Sequence, residues 1–401
     1  MKTLVEQKSD LRARVRLLAP LLVAVPALVI LYLTFHFTSS QLRQWAEFNL
    51  KKTGQQIVEE TKNFLNSADL SANYNAVWIA ANQSSKTFAA DFHKIARAQM
   101  DYFPYFQLIY FGDHGGNHWL NKKDPDGVLR TRLIERLDDS PTSREQLARA
   151  ATLSEIHPEE KMVRQTLLSW IVRTSWYELG ADGDLRFDYA DRLKAYDPRL
   201  RPWYSGVEQK QGKSWIDVYT WENKFHDQID YAAGITISYP VMRHGELAGV
   251  TGIDLVLEEI SQFLGKIAIS PNSRIFIFDS KGQLVGMPGQ KVLLRAAPNQ
   301  QKFERIRLSD IGDIAIADSY HALRQDILGE SANAQANKLG PFAEKILRFT
   351  SQNISVLGFF RPLDPIFNLD WYVGVLMPES DVNGDLEQRF RWAFVGVIAV
   401  V

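Results

Sequence analysis

The residues best suited to chemistry crowd into one short stretch, YDPRLRPWYSG, from Tyr196 to Gly206. Pro198 and Pro202 fix φ near about −65°, and Arg201, which precedes a proline, is biased toward extended backbone. Such a segment holds its side chains stiffly. Arg201 offers a planar fork of N–H donors matched to a carboxylate, a pairing that contributes about 1.5 to 3 kcal/mol where water is excluded. Trp203, Tyr204 and, further along, Tyr219 would supply apolar walls and aromatic faces for a cation. Asp254 lies at the end of the apolar strand GVTGIDL, where a core tolerates no bare charge, and an ammonium group would satisfy it. A guanidinium, a carboxylate and aromatic walls together suit a zwitterion such as an amino acid. Arg199 is expected to pair with a nearby carboxylate and fix the segment, and Asp197 to cap a turn. Trp215 and Trp221 are expected in the core.

These side chains need a frame, and the chain ends say where it stands. Leu17 to Phe35 carries no charge, and a bilayer-spanning helix needs about 20 apolar residues, so a transmembrane helix is expected over residues 17–36. Lys2, Lys8, Arg12, Arg14 and Arg16 precede it and outnumber Glu6 and Asp10, which makes residues 1–16 cytoplasmic and the chain beyond the helix exported. The apolar run exceeds the core of a cleaved signal peptide, about 7 to 15 residues, and no small-x-small site comes after it, so it reads as an uncleaved anchor. Residues 389–401, ending in WAFVGVIAVV, are expected to open a second membrane helix leading to a cytoplasmic output domain.

Between the two, Leu42, Ala46, Leu50, Ile57 and Phe64 recur at about the 3.5-residue coiled-coil spacing, which predicts a helical stalk over 37–100. The stripe suits either packing on its own domain or a dimer seam. From residue 101 the period switches to two. QLIYF and HWL flank GDHGGN as a hairpin, and GITISYPV and LAGVTGIDL flank MRHGE before a helical VLEEISQFL. The order returns later, as RIFIFD, SKG and QLVGM, then ISVLGFFRPL and DWYVGVLMPESD before VNGDLEQRF. Hairpin, intervening segment, hairpin and helix, twice over, predict two α+β domains with antiparallel sheets, residues 101–265 and 266–388. The charged stretch Lys122–Lys161 reads as a solvated insertion without chemistry, and QTLLSWIVRT (Gln165–Thr174) suits a helix or a buried strand alike.

Composition excludes several functions. With 46 basic against 47 acidic residues the net charge is −1, so no field attracts nucleic acid, and the absence of cysteine excludes thiol chemistry. GKS (Gly212–Ser214) lacks the glycine a phosphate loop needs five positions earlier, where Val207 stands. His114 and His118 bracket two glycines, which favours a turn over a helical metal pair, and Asp182 and Asp184 are too few oxygens for a calcium loop. No catalytic residue, metal ligand or cofactor is expected.

A membrane helix, a long exported helix, two similar sheet domains and a closing membrane segment, with YDPRLRPWY in the first domain, resemble the double Cache sensors. These are exported ligand-binding regions of bacterial chemoreceptors, histidine kinases and cyclic-nucleotide or cyclic-dinucleotide enzymes. The resemblance covers roughly Gln41 to Gln388, with DPRxRPWY its most specific mark and GVTGIDL and DWYVGVLMPESD in agreement. It implies two PAS-like domains flanked by transmembrane helices, with the ligand in the membrane-distal one. The pattern of the amino-acid-recognising subclass maps onto Tyr196, Arg201, Trp203, Tyr219 and Asp254. The chain departs from it once: the subclass has an aspartate two positions after the tyrosine matched by Tyr219, where Trp221 stands, and neither Asp217 nor Asp227 has that spacing. One carboxylate fewer loosens the grip on an ammonium and leaves open an organic acid, a modified amine or another carboxylated ligand.

The expectation is therefore a periplasmic or extracellular sensor region at a bacterial inner membrane, binding a small carboxylated ligand through Tyr196, Arg201, Trp203, Tyr204, Tyr219 and Asp254. The resemblance also implies a homodimer along the Leu42–Phe64 stripe, and a kinase, cyclase or chemoreceptor output. The rival readings are a membrane-anchored exported enzyme and a protein-binding scaffold.

Overall fold

Helix α1 (Leu4–Asn82) is one unbroken rod of 79 residues in the computed structural model, and both sheets are built against it. The structure describes residues 4–400 apart from 125–126, 153–169, 181–183, 191–195, 226–227, 268, 290–293, 297–302, 330–338, 340–341 and 364. Among the described residues α1 is the one helix long and apolar enough to cross a membrane, with a mean hydropathy of 1.8 across its most apolar window. Leu22, Val23, Val29 and Ile30 stand exposed there, as side chains facing lipid would.

Further along α1, Ala46, Leu50, Ile57, Leu65, Ala68, Ala72 and Ile79 are completely buried. They pack on the sheets, with Ala68, Ala72 and Ala76 one helical turn apart letting the rod lie close. Of the two partners open to the Leu42–Phe64 stripe, the structure shows the chain's own sheets. Leu50, Ile57 and Phe64 already have an intramolecular partner. A helix lying on a sheet needs the same apolar stripe as a helix lying on its copy, so spacing alone does not name the partner. The exposed apolar residues of this part of α1 include Leu70, Tyr74 and Val77, which succeed one another at helical spacing. Helix α2 (Phe88–Tyr102) then doubles back, burying Phe88, Phe92, Ala96 and Met100.

The first sheet comprises β1 (Phe106–Asp113), β2 (His118–Lys123), β3 (Leu129–Arg136), β4 (Val172–Leu179), β5 (Leu185–Ala190), β6 (Ser214–Phe225), β7 (Gln228–Arg243) and β8 (Glu246–Val256). They run antiparallel in the order β5-β4-β3-β2-β1-β8-β7-β6. Helices α3 (Pro141–Thr152), α4 (Pro202–Lys210) and α5 (Leu257–Leu264) complete this part. Both hairpins expected from QLIYF/HWL and GITISYPV/LAGVTGIDL are present.

The second sheet repeats the plan with β9 (Arg274–Asp279), β10 (Leu284–Gly286), β13 (Lys345–Ser351), β14 (Ile354–Pro362) and β15 (Trp371–Pro378), in the order β10-β9-β15-β14-β13. A ribbon of β11 (Leu294–Ala296) and β12 (Phe303–Arg305) and helix α6 (Ile314–Leu328) lie between its hairpins. Helix α7 (Ser380–Val400) returns beside α1, the Phe390 ring 4.4 Å from Phe35. The α+β class, with a long first helix and two antiparallel sheets, is as expected.

One expectation about the insertion fails. Part of Lys122–Lys161 is strand β3, paired on both sides, Leu120 with Arg132 and Arg132 with Trp176. Within QTLLSWIVRT, residues 172–174 are the start of β4, while 165–169 fall outside the described residues.

Candidate ligand-binding site

Side chains alternate across a strand, so β1, β7 and β8 send one set into the core around α1 and the other away from it. Ile109, Phe111, Ile235, Ile237, Ile253 and Leu255 join the core around α1. The opposite face carries a row set by the register: Gly252 of β8, Tyr110 of β1, Leu120 of β2, Arg132 of β3 and Trp176 of β4. In the adjoining row Thr236 of β7 pairs with Asp254 of β8. Tyr219 joins from β6 because the register shifts between Ile216 and Tyr219. The extra residue of that bulge keeps Tyr219 on the face of Thr236.

Asp254 is 2% exposed and ringed by hydroxyls. Tyr110 donates to its Oδ1 at 2.7 Å, Thr236 to the same oxygen at 2.5 Å, and Tyr219 to Oδ2 at 3.0 Å. Burial pushes the carboxyl up to about 6, while those three hydrogen bonds and the Arg201 charge pull it down. Burial, reinforced by the Asp254 charge, also holds the Tyr110 and Tyr219 hydroxyls well above the ordinary tyrosine range, which keeps both as donors. Tyr110 reaches this far because it lies over a glycine: a Cβ on Gly252 would sit 2.5 Å from the Tyr110 ring.

The YDPRLRPWYSG segment roofs this face. Asp197 caps a single 3-10 turn, Pro198–Leu200, by accepting the Arg199 N–H at 3.0 Å. Arg201 is extended, φ −95° and ψ 144°, as its place before Pro202 predicts, and Pro202 opens α4. Trp203 and Tyr204 therefore stand on a first helical turn. The roof rests directly on β1, since a Cβ on Gly112 would lie 2.7 Å from Pro198 and 2.9 Å from Trp203. Arg199 is the brace: its guanidinium meets Asp197 at 2.7 Å, Asp139 at 2.7 Å and the His114 carbonyl at 3.1 Å. Arg136 donates to the same Asp197 oxygen, Oδ2, at 3.0 Å. The Arg199 and Arg144 guanidinium groups keep the Asp139 carboxyl far below the usual range, against the opposing effect of its burial.

Under the roof the Trp203 ring sits 4.7 Å from Tyr110, and its Nε1 donates to the Tyr196 hydroxyl at 3.3 Å. Tyr196 is half-buried, its ring 4.8 Å from His118. The Arg201 guanidinium is exposed and lies 5.7 Å from the Tyr196 ring centre. Among the described residues it makes no hydrogen bond or ion pair.

The fold thus joins Arg201, Tyr196, Trp203, Tyr219 and Asp254 into one connected surface, with Tyr110 as the link. Arg201 and Asp254 do not touch; they interact through space across the aromatic wall. Tyr204 differs from the rest, being completely buried behind Trp203, where the charges nearest its hydroxyl include Glu208, Asp113 and Arg199. Trp215 is a core residue, edge-on to Phe367. Trp221 lies on β6 opposite Ala232, Asp217 is exposed and accepts the Val218 N–H, and Asp227 falls outside the described residues.

Four residues of the site were not foreseen. Tyr110 and Thr236 sit in segments read only as strands, where the alternation of the second face was the available signal, and His118 was weighed only as half of a metal pair with His114. Arg132 sits in the supposed insertion. It is 8% exposed, 5.2 Å from the Tyr196 ring centre and 5.6 Å from that of Trp176.

The chain is 27% identical over 108 residues to the methyl-accepting chemotaxis protein PscA of Pseudomonas syringae pv. tomato, covering 26% of this chain and 16% of PscA. It is 21% identical over 207 residues to the methyl-accepting chemotaxis protein PctB of Pseudomonas aeruginosa, covering 51% of this chain and 26% of PctB. It therefore spans about a quarter or less of these relatives. Similar solved structures include the ligand-binding domain of the Pseudomonas fluorescens chemoreceptor CtaA with L-isoleucine, at 14% identity and TM-score 0.45, covering 86% of this chain and 97% of that one. Another is that of the Campylobacter jejuni chemoreceptor Tlp3 with L-valine, at 13% identity and TM-score 0.46, covering 86% and 98%. The dCache_1 model of the Cache domain matches residues 34–386, taking in α1 from residue 34 onward and both sheets, and on that match the chain belongs to the Cache domain family.

Proposed function

We propose that this chain is the anchor and exported sensor region of a membrane receptor, and that it binds an α-amino acid with the ammonium on Asp254 and the carboxylate on Arg201. The observation that carries the reading is Asp254 itself. A buried carboxylate costs several kcal/mol unless paired, and among the described residues three hydroxyls but no cation contact this one. Arg201, at the other end of the same aromatic wall, is likewise without an ion-pair partner among the described residues. An amino acid brings the two missing charges. The names of PscA and PctB favour a chemoreceptor output over a kinase or cyclase.

In this reading residues 1–16 are cytoplasmic, 17–36 cross the inner membrane, 37–100 form the stalk, 101–265 the membrane-distal binding domain, 266–388 the membrane-proximal domain, and 389–401 begin the return through the membrane. The receptor is a homodimer whose seam runs along Leu70, Tyr74 and Val77 of α1, the apolar stripe left exposed. Ligand binding signals only insofar as it prefers one of two states of the site.

The test is a thermal-shift screen of the purified, detergent-solubilised chain against amino acids, carboxylates and amines. The reading expects a saturable rise in melting temperature with an amino acid, lost in Arg201→Ala. Turnover of a compound would point to an enzyme, and silence across the panel to a scaffold.

A further inference from the structure

Helix α1 and the second sheet touch at one point and part at the next. Gly54 of α1 lies against the Phe359 ring of β14, where a Cβ would overlap it. Val58 and Lys62 follow Gly54 at intervals of four and stay on that side of the helix. Arg361 follows Phe359 by two and stays on that side of the strand. Val58, Lys62 and Arg361 line a cleft of about 460 Å³, closed further by Pro362, Leu363 and Pro365. Small-molecule sites commonly measure about 300 to 1,000 Å³.

The cleft stands where the two sheet-bearing parts meet, a favoured place for ligands. On one side Phe64, two residues past Lys62, has its ring 4.4 Å from that of Tyr105, just before β1. On the other, the 3-10 turn Pro365–Phe367 sets the Phe367 ring 5.9 Å from Trp215 of β6. The charges around the cleft do not balance. Glu59 meets Lys62 at 3.2 Å, and Glu344 pairs with Lys51. Arg361 is half-buried and makes no hydrogen bond or ion pair among the described residues. A guanidinium in that position is matched by a carboxylate. The apolar part of the wall includes Val58 and Leu363, each 3% exposed, and two prolines, which carry no N–H to compete for the anion.

We infer that this cleft is a second ligand site, and that it takes a small monocarboxylate whose charged end meets Arg361 and whose hydrocarbon body lies on Val58, Leu363 and the prolines. It is independent of the amino-acid reading, since Asp254 lies on the face of the first sheet turned away from α1. A guest in the cleft touches α1 itself, the rod that also carries the candidate membrane span. A neutral guest of the same shape leaves Arg361 unpaired, and an inorganic anion leaves the apolar wall uncovered.

Calorimetric titration of the full solubilised chain with butyrate, butyramide and inorganic phosphate is the test, because butyramide keeps the shape without the charge and phosphate the charge without the hydrocarbon. Butyrate should bind saturably and at least about tenfold more tightly than either of the others. Arg361→Gln should bring the butyrate-to-butyramide ratio within about threefold of unity, Arg361→Lys should keep part of the preference, and Arg201→Ala should leave butyrate affinity within about threefold. The wild-type ratios need no variant to fold. Butyrate binding no tighter than butyramide or phosphate overturns the inference. So does a preference that survives Arg361→Gln, or one that disappears in Arg201→Ala and so belongs to the first sheet. Binding by none of the three probes overturns it as well and leaves the amino-acid site standing.

Discussion

Tyr110 hydrogen-bonds Asp254 at 2.7 Å by lying over Gly252, the residue opposite it on β8 and two positions before the carboxylate. One absent Cβ therefore lets a neighbouring strand deliver a donor to the buried acid.

Substituting Gly252→Ala forces the Tyr110 ring off its seat, since the new Cβ would stand 2.5 Å from it. Overpacking of this kind costs about 1 to 3 kcal/mol. Urea denaturation should show that loss, and ligand affinity should fall with it. Unchanged stability and affinity would mean that the Tyr110 position is not required.

Asp254 makes the chain pH-sensitive in a stated direction. Its folded value, about 6, lies above the ordinary 3.8, so between those limits the folded state binds more protons than the unfolded one. Its contribution to stability is therefore fully present at low pH and is lost as pH rises through 6, on the order of 3 kcal/mol in all. An ammonium on the carboxylate opposes this by favouring the charged form. Binding of an amino acid near pH 6 should release a proton, and affinity should fall as the medium becomes more acidic than that. Titration in buffers of different ionisation enthalpy reads the proton directly, and Asp254→Asn should abolish it.

The Arg199–Asp197–Arg136 brace is the part of the roof most exposed to single substitutions. The Arg136 and Asp197 side chains are 2% and 3% exposed, so Asp197→Ala leaves a buried guanidinium without this partner, at about 3 to 5 kcal/mol. Thermal melts should show a large drop. A change below about 0.5 kcal/mol, the usual size at surface sites, would show the brace to be dispensable.

The two faces of α1 should respond differently to charge. Glutamate at Leu50 or Ile57, both fully buried, should prevent folding. The double substitution Leu70→Glu with Tyr74→Glu should leave the fold intact and weaken the proposed dimer, since both side chains are more than half exposed. Light scattering on the solubilised chain distinguishes these outcomes, and an unaltered mass for the double variant would move the seam elsewhere.

Much of this was legible in the chain, and the remainder was hidden for identifiable reasons. Pro198 and Pro202 disclosed the backbone of the roof, and Asp254 was conspicuous as a charge in an apolar strand. The hairpins were marked by period-two runs interrupted by glycine. Arg132 was hidden because LRTRLIER (Leu129–Arg136) alternates arginine with threonine and leucine, which resembles a solvated segment until Trp176 and Tyr196 are seen to cover the arginine. The place of Tyr219 depends on a bulge that pairing alone reveals. The stripe on α1 was visible, but its partner was not, because sheet and helix ask for the same periodicity.

The central claim is most directly tested by solving the structure of the chain with its tightest-binding amino acid. The account predicts the ligand on the face beneath Trp203, its ammonium about 2.8 Å from an Asp254 oxygen and its carboxylate against the Arg201 guanidinium. An amino acid bound anywhere else, or bound on this face with Arg201 still turned to solvent, would contradict it.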